Sequence, residues 1–320
     1  MADKVYIHAA AGGTYIGNGG FICLNELGVQ LGGMGYDVAF FDHLDGLHPD
    51  LWFWTGYPVP PIVAWESVRS DDAPIVTTWL YSWLDTLKQY PALFPRLRYW
   101  CSGELLRDEP FYDASRQFIL DHVPEIAINN PSLAYAYEEL GITPRWMWTN
   151  WIRDLFQPDP ERRETGTIGY QPDLPFGNPK NEPDEVGDRL RAAFGDEAII
   201  PCVGTQPEVA QAMQRCDLFL AWNKHWPLVC GAGESFGLNL FEALACGCVA
   251  VARRHSGNEV LIERKVATET DLINAIDGLG WYRRDVLIRS DTRQQQNGFI
   301  EAFYRFDDQR RAAIRGYLGE

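Results

Sequence analysis

Residues 233–252, GESFGLNLFEALACGCVAVA, are apolar or small at almost every position, yet they contain two glutamates, Glu234 and Glu242. The pattern predicts a loop, a helix that begins near Leu238 and a short buried strand. A carboxylate that is buried without a partner is strongly unfavourable, so it shifts its pKa, finds a hydrogen-bond donor or binds a ligand. The remainder of the sequence has to decide among these three outcomes.

The length and composition limit the classes of protein to which this chain can belong. A chain of 320 residues with 46% hydrophobic residues is long enough for two medium-sized domains. Its apolar runs all fall short of the ~18 residues that a membrane-spanning helix needs. The N-terminal segment MADKVYIHAA leads straight into a strand and lacks the features of a signal peptide. We therefore expect a cytoplasmic protein with no transmembrane segment.

Charge and cysteine content exclude some partners. The formal net charge of −16 disfavours nucleic acid, anionic lipid and polyphosphate as partners. It is compatible with a neutral or cationic soluble acceptor.

The seven cysteines form no C-x-x-C pair and lie mostly in apolar runs, so we expect buried free thiols rather than disulfides or a metal site.

Strand-like and helix-like segments alternate along the chain, which is typical of α/β folds with parallel sheets. The alternation breaks at the proline- and charge-rich stretch after residue 150 and then restarts. The sequence thus predicts two tandem doubly wound Rossmann-like domains, residues 1–150 and 151–295, and a C-terminal helix within 296–320 that packs back on the first domain. Ligands of such sheets bind at the carboxyl ends of the strands, so we expect a site in a cleft between the domains.

Two local assignments accompany this prediction. The aromatic run DLWFW, residues 50–54, is interpreted as a third strand of the first domain. Residues 267–280, ATETDLINAIDGLG, are interpreted as a helix.

A glycine-rich turn precedes one predicted helix in each domain. In the first domain the turn is residues 17–20, GNGG, and in the second it is residues 234–237, ESFG. Free N–H groups and the positive end of the helix dipole make such turns anion sites. A single loop of this kind is weak evidence for an anion site, but two such loops in equivalent places of the two domains are more specific evidence.

Other motifs are absent or ambiguous. Neither a G-x-G-x-x-G spacing nor a G-x-x-x-x-G-K-[ST] motif occurs, and the absence of the first disfavours a dehydrogenase. The loop DHLDGLHPD brings Asp42, Asp45 and Asp50 close to His43 and His48. These residue types are suited to a metal site, but we favour a hydrated loop between strands and predict no metal.

The two glutamates suit a nucleotide diphosphate. Glu242 falls at the edge of the apolar stripe of its helix, and Glu234 lies in the preceding loop. A carboxylate at that edge accepts two hydrogen bonds from the vicinal hydroxyls of a ribose. The phosphates would then lie over the amides of Phe236, Gly237 and Leu238. The alternative is a salt bridge of Glu242 at the rim and a solvated Glu234.

These residues resemble the retaining GT-B glycosyltransferases of glycosyltransferase family 4. That family carries two glutamates eight residues apart, and the second of them is the first residue of an E-A-x-A-x-G motif. Residues 234–247 match this pattern. The turn at residues 257–260, GNEV, also matches, and the similarity covers most of the chain in order. The resemblance implies Glu234 as a catalytic contact to the donor sugar and Glu242 as the ribose ligand. The substrate-binding residues that it implies are Gly19, Gly20, Trp79, Gly204, Thr205, Ser235, Phe236, Gly237, Leu238 and Glu242.

The sequence departs from the family pattern at the diphosphate. An Arg and a Lys usually follow the first strand of the second domain, but here Gln171 replaces the Arg. Lys180 is our first candidate for the missing catalytic cation, Lys224 is the second and Arg253 is the third. In the first domain, Trp79 stands where the family often has a His.

The resemblance implies a retaining, metal-independent transferase of the hexosyltransferase type. It would use a nucleotide-diphosphate sugar as donor, a hydroxyl acceptor and no cofactor. Two alternatives remain open: a nucleotide-sugar-binding protein that has lost turnover, and a GT-B isomerase or phosphorylase. Four tryptophans offer stacking faces for sugar rings or belong to ordinary packing, namely Trp52, Trp54, Trp79 and Trp83.

Overall fold

The structure is a computed structural model. It describes residues 3–9, 19–101, 110–129, 134–148, 150–172, 185–221, 237–253, 267–270, 287–290, 299–302 and 304–320. The chain divides into two compact units. The first contains the described residues of Met1–Asn150 and of Phe306–Glu320, and the second contains the described residues between 151 and 305.

The first unit is built on a six-stranded parallel sheet in the order β2-β1-β3-β4-β5-β6. Its strands are β1 Lys4–His8, β2 Asp37–Phe41, β3 Ile75–Thr77, β4 Leu97–Cys101, β5 Glu125–Ile128 and β6 Trp146–Met147. The order reverses between β1 and β3, so the carboxyl ends of these two strands flank the switch point at which doubly wound sheets bind ligands.

Among the described residues of this unit, five α-helices connect the strands, and a sixth comes from the C-terminal part of the chain. They are α1 Gly19–Gly33, α2 Trp65–Arg69, α3 Leu84–Gln89, α4 Pro110–His122, α5 Ala134–Glu139 and, last in the chain, α9 Asp308–Leu318. In α1 apolar residues recur at helical spacing, and all four of them are buried: Phe21, Leu24, Leu27 and Leu31.

The second unit has a six-stranded mixed sheet in the order β11-β12-β10-β9-β7-β8. Strands β8, β7, β9 and β10 are parallel, whereas β12 runs antiparallel to both β10 and β11. The strands are β7 Ile168–Tyr170, β8 Ile199–Pro201, β9 Leu218–Ala221, β10 Val249–Arg253, β11 Ala267–Thr270 and β12 Leu287–Ser290. Its labelled helices are α6 Glu185–Phe194, α7 Gln206–Arg215 and α8 Leu238–Ala245.

Helix α8 lies in the core of the second unit. It packs against α7, β9 and β10. Every residue from Leu240 to Ala245 is buried, and Phe241 and Leu244 have no exposed surface. The predicted helix start near Leu238 is therefore confirmed, and the helix is more deeply buried than a single apolar stripe indicates.

Two local predictions are wrong. Residues 50–54 do not form a strand, because Pro49–Thr55 is a 3₁₀-helix in which the His48 imidazole accepts a hydrogen bond from the Asp50 N–H. This helix turns Trp52 inward, where its indole N–H donates to Asn25 Oδ1 at 2.6 Å. The first four residues of the predicted helix 267–280 form β11, which is paired to β12, and the others lie outside the described residues.

The cysteine prediction is confirmed where the structure describes the thiols. Cys202, Cys216, Cys246 and Cys248 are buried and form no disulfide, and Cys23 is half-buried and forms none either. Among the described helices, none is both long enough and apolar enough to cross a membrane.

The C-terminal helix α9 packs on β5 and β6 of the first unit. The Tyr317 ring lies 5.2 Å from the Trp148 ring, and the Tyr36 hydroxyl donates to Glu320 Oε1 at 2.6 Å. Gly316 faces the Trp146 indole so closely that an added Cβ would overlap the ring. Position 316 therefore requires glycine, because any side chain there would overlap the indole.

We predict that Gly316→Ala destabilises the first unit by about 1–3 kcal/mol, because the helix or the indole has to move. Gly32→Ala is the matched control: Gly32 lies inside α1, and a Cβ there would meet no atom within 4 Å. That change should stabilise the protein by about 0.5–1 kcal/mol through helix propensity. Chemical denaturation measures both changes, and an equal effect of the two substitutions would contradict the packing described for α9.

Candidate functional site

The candidate site is the N-terminal end of α8. Gly237 is its N-cap residue and adopts a left-handed conformation with φ 73°. Because glycine has no side chain, it makes no capping hydrogen bond to the first N–H groups of the helix. The positive end of the helix dipole lies at the same place, so this end of α8 is suited to an anion.

The same end of α8 lies beside the switch point of the second sheet. The Asn239 amide donates to Gln171 Oε1 at 3.3 Å, and Gln171 directly follows Tyr170, the last residue of β7. Strand β7 pairs with β8 on one side and β9 on the other, which is where the strand order reverses. Among the described residues, the buried Asn239 Oδ1 has no hydrogen-bond donor.

Glu242 is buried one turn into α8, with only 5% of its surface exposed. Burial raises its pKa from an ordinary value of 4.5 to about 8, and the positive charge of Arg153 only partly opposes this. The carboxyl group is therefore mostly protonated at neutral pH in the free protein. The alternative interpretation of Glu242 as a rim salt bridge is wrong, because the residue does not lie at a rim.

Arg153 is a buried cation that we did not single out from the sequence. The Arg305 guanidinium fixes the backbone around it by donating to the carbonyls of Ile152, Arg153 and Phe156 at 3.1, 2.9 and 3.0 Å. The signal in the sequence was an arginine inside the otherwise mostly apolar run WIRDLF, residues 151–156.

Gly204 and Thr205 lie between the end of β8 and the start of α7. The Glu208 carboxylate accepts hydrogen bonds from the Thr205 N–H at 2.7 Å and from its hydroxyl at 2.9 Å. These bonds lower the pKa of Glu208. Gly204 has φ 111°, and a Cβ there would collide with the Glu208 carboxylate. Both residues thus have a structural role at the helix start, and donor binding by them stays a prediction.

The residues of the first unit that were predicted to contact a substrate differ in their environments. Gly19 and Gly20 open α1, as predicted. Trp79 is half-buried and follows the end of β3. Trp52 and Trp83 are fully buried, so their interpretation as stacking faces for sugars is wrong.

Several predicted residues lie outside the described part of the chain. They are the catalytic candidates Glu234, Lys180 and Lys224, and the donor-binding candidates Ser235 and Phe236. Arg253 closes β10, and its side chain is not among those described.

The acidic loop after β2 is not simply hydrated, which corrects our interpretation. Asp42 is buried beside His43 and beside His8, the last residue of β1. Burial and the neighbouring His43 lower the pKa of His8 to about 3, although Asp42 opposes them, so the His8 imidazole is neutral. Asp45 and Asp50 are exposed, as a hydrated loop predicts.

Residues 192–273, which include α7 and α8, match the family model of glycosyl transferases group 1. Solved structures resemble the whole chain. Anabaena HepE in complex with UDP-glucose has a TM-score of 0.67 at 12% identity, over 98% of each chain. The fold is that of the GT-B glycosyltransferases.

Two further structures support this assignment of the fold. A Rickettsia africae glycosyltransferase has a TM-score of 0.64 at 10% identity, covering 99% of this chain and 98% of that one. The lipopolysaccharide outer core galactosyltransferase WaaB has a TM-score of 0.53 at 13% identity, over 99% of both chains. No curated protein matches the sequence.

We predict that Glu242→Gln changes how stability depends on pH. The folded carboxyl keeps its proton up to about pH 8, whereas in the unfolded chain it ionises near 4.5. The wild-type protein therefore loses stability as the pH rises between these values, by up to about 1.4 kcal/mol per pH unit, and glutamine does not titrate. The stability advantage of the variant should grow from pH 5 to 8 and level off above.

Denaturant titrations at pH 5, 6, 7, 8 and 9 measure this difference. Glu197→Gln serves as the control, since Glu197 is exposed in the same unit. Parallel pH profiles for the wild type and Glu242→Gln would show that the buried carboxyl is not protonated.

Proposed function

We propose that this protein is a glycosyltransferase that moves a sugar from a nucleotide-diphosphate sugar to a hydroxyl acceptor. The observation that carries the proposal is the N-terminal end of α8, where Gly237 supplies no side-chain cap, beside the switch point of the second sheet. It lies within the segment that matches glycosyl transferases group 1. The HepE structures, which share the fold, contain UDP with glucose or UDP-glucose.

In this proposal the diphosphate lies over the amides of Gly237 and Leu238, and of the preceding Phe236. The unpaired Asn239 Oδ1 only accepts hydrogen bonds, so it suits a hydroxyl group of the donor rather than the phosphates. Glu242 binds the ribose, for which its protonated form is well suited, because a neutral carboxyl group both donates and accepts hydrogen bonds. Glu234 contacts the donor sugar near the reacting carbon.

The leaving diphosphate needs more positive charge than helix ends supply. A helix N-terminus contributes about half an elementary charge, whereas the diphosphate carries at least two negative charges. We propose Lys180 first and Lys224 second as the additional cation. Arg153 contributes a fixed positive charge to the same unit and already acts on Glu242. Catalysis is then electrostatic stabilisation of the leaving group, without a covalent intermediate.

We further propose retention at the anomeric carbon, a hexose donor and no metal at the diphosphate. The support is the resemblance of residues 234–247 to the retaining family and the helix end that already stabilises the anion. A cytoplasmic location and a neutral or cationic soluble acceptor are proposals from composition and charge.

We expect one nucleotide class in a panel of UDP-, GDP-, ADP- and dTDP-sugars to raise the melting temperature. A ligand at about 100 times its Kd adds roughly 2.7 kcal/mol of stability. Turnover is then measured with hydroxyl acceptors in the assay, and chromatography detects the free nucleoside diphosphate that is released. Binding without release would favour the nucleotide-sugar-binding protein, and the absence of binding by any donor would contradict the proposal.

The proposal that no metal lies at the diphosphate is tested by affinity rather than by turnover. Calorimetric Kd values for the matching nucleoside diphosphate should agree in excess chelator and in Mg²⁺ or Mn²⁺. An affinity that depends on the metal would place an ion at the diphosphate.

A further inference from the structure

Three metal-ligating groups converge at the carboxyl ends of β1 and β2 in the first unit. His8 Nε2 lies 3.2 Å from His43 Nδ1, Asp42 Oδ1 lies 3.0 Å from His43 Nδ1, and Asp42 Oδ1 lies 3.8 Å from His8 Nε2. All three atoms lie within 4.8 Å of one another. The cluster belongs to the first unit and is distinct from the α8 site.

These spacings are close to those of a tetrahedral zinc site. Zinc binds imidazole nitrogen and carboxylate oxygen at about 2.0–2.2 Å, so two ligand atoms of a tetrahedron lie roughly 3.3–3.6 Å apart. The distances between the ligand atoms, 3.0, 3.2 and 3.8 Å, bracket this range. A shift of a few tenths of an ångström would bring all three atoms to bonding distance of one ion.

Hydrogen bonds alone do not satisfy the three atoms. One shared proton does not satisfy all three atoms. When the His43 Nδ1–H donates to Asp42 Oδ1, at 3.0 Å, His8 Nε2 loses that donor. When the His8 Nε2–H donates to His43 Nδ1 instead, at 3.2 Å, the buried Asp42 Oδ1 has no donor among the described residues, whereas Oδ2 accepts a hydrogen bond from the Gly46 N–H. A cation would interact favourably with a lone pair from each of the three atoms.

The surroundings already hold His8 as a metal ligand is usually held. Its Nδ1 lies 3.4 Å from Thr77 Oγ1, so the Nδ1–H donates to this hydroxyl when Nε2 is free to bind a metal. The Trp83 indole N–H also donates to Thr77 Oγ1, at 3.3 Å, and the Trp83 ring stacks on His8 at 4.1 Å. Such outer contacts set both the tautomer and the orientation of a ligating histidine.

We propose that the first unit binds a divalent transition-metal ion, preferentially zinc, through His8 Nε2, His43 Nδ1 and Asp42 Oδ1. Two imidazoles and one carboxylate leave a fourth position for water or another oxygen ligand. The ligand set favours zinc over magnesium or calcium, because the latter prefer oxygen ligands. The ion would lie at the carboxyl ends of β1 and β2, next to the switch point of the first sheet.

The test is calorimetric titration of the chelator-treated, full-length protein with zinc chloride, with bound metal counted by elemental analysis. We expect one ion per chain, and no comparable binding of Mg²⁺. His43→Ala and Asp42→Asn should each weaken zinc binding by on the order of a hundredfold or more, since loss of an outer contact alone costs 10–100-fold.

His48→Ala is the matched control, because His48 is an exposed histidine five residues from His43 and should not affect the affinity. Circular dichroism and melting temperature confirm that each variant is folded. His43 is the substitution of choice for this reason, because its side chain is the least buried of the three ligands. Failure of the wild type to bind zinc would overturn the proposal. So would folded His43→Ala and Asp42→Asn variants that bind like His48→Ala.

Discussion

The burial of helix α8 is the constraint on which the second unit depends. The helix packs against α7 and against two strands of the sheet, so nearly all of its residues belong to the core, and Glu242 is buried with them. Such a carboxyl group is stable in a core only when it is neutral, paired or bound to a ligand. Its raised pKa shows the first response in the free protein, and the positive charge of Arg153 only partly opposes that shift. The proposed ribose would supply the third.

Both units concentrate polar groups at the carboxyl ends of parallel strands, and they do so with different chemistry. In the second unit these groups are the first amides of α8 and the paired side-chain amides of Gln171 and Asn239, next to the end of β7. In the first unit they are two imidazoles and a carboxylate, supported by a threonine and a tryptophan. The topology explains the location, since strand ends at a switch point leave room that the connecting helices do not fill.

The sequence predicted what depends on local pattern. Helical spacing located α1 and α8, and the glycine before Leu238 marked the start of α8. It did not predict what depends on packing between distant segments. The depth of Glu242 follows from the contacts of α8 with α7 and the sheet. The inward turn of Trp52 follows from a hydrogen bond to Asn25, and the cluster of His8 with Asp42 follows from the pairing of β1 with β2. A resemblance over residues 234–247 predicted roles for residues that the structure does not describe, and those roles stay predictions.

Hydrogen–deuterium exchange with and without the nucleoside diphosphate tests most directly whether the diphosphate binds at the N-terminal end of α8. The first-turn amides of a helix have no intrahelical partner, so they exchange rapidly unless a ligand accepts their hydrogen bonds. The account predicts slower exchange in peptides that contain Gly237, Leu238 and Asn239 when the nucleotide is bound. Unchanged exchange in those peptides at saturating nucleotide would contradict it.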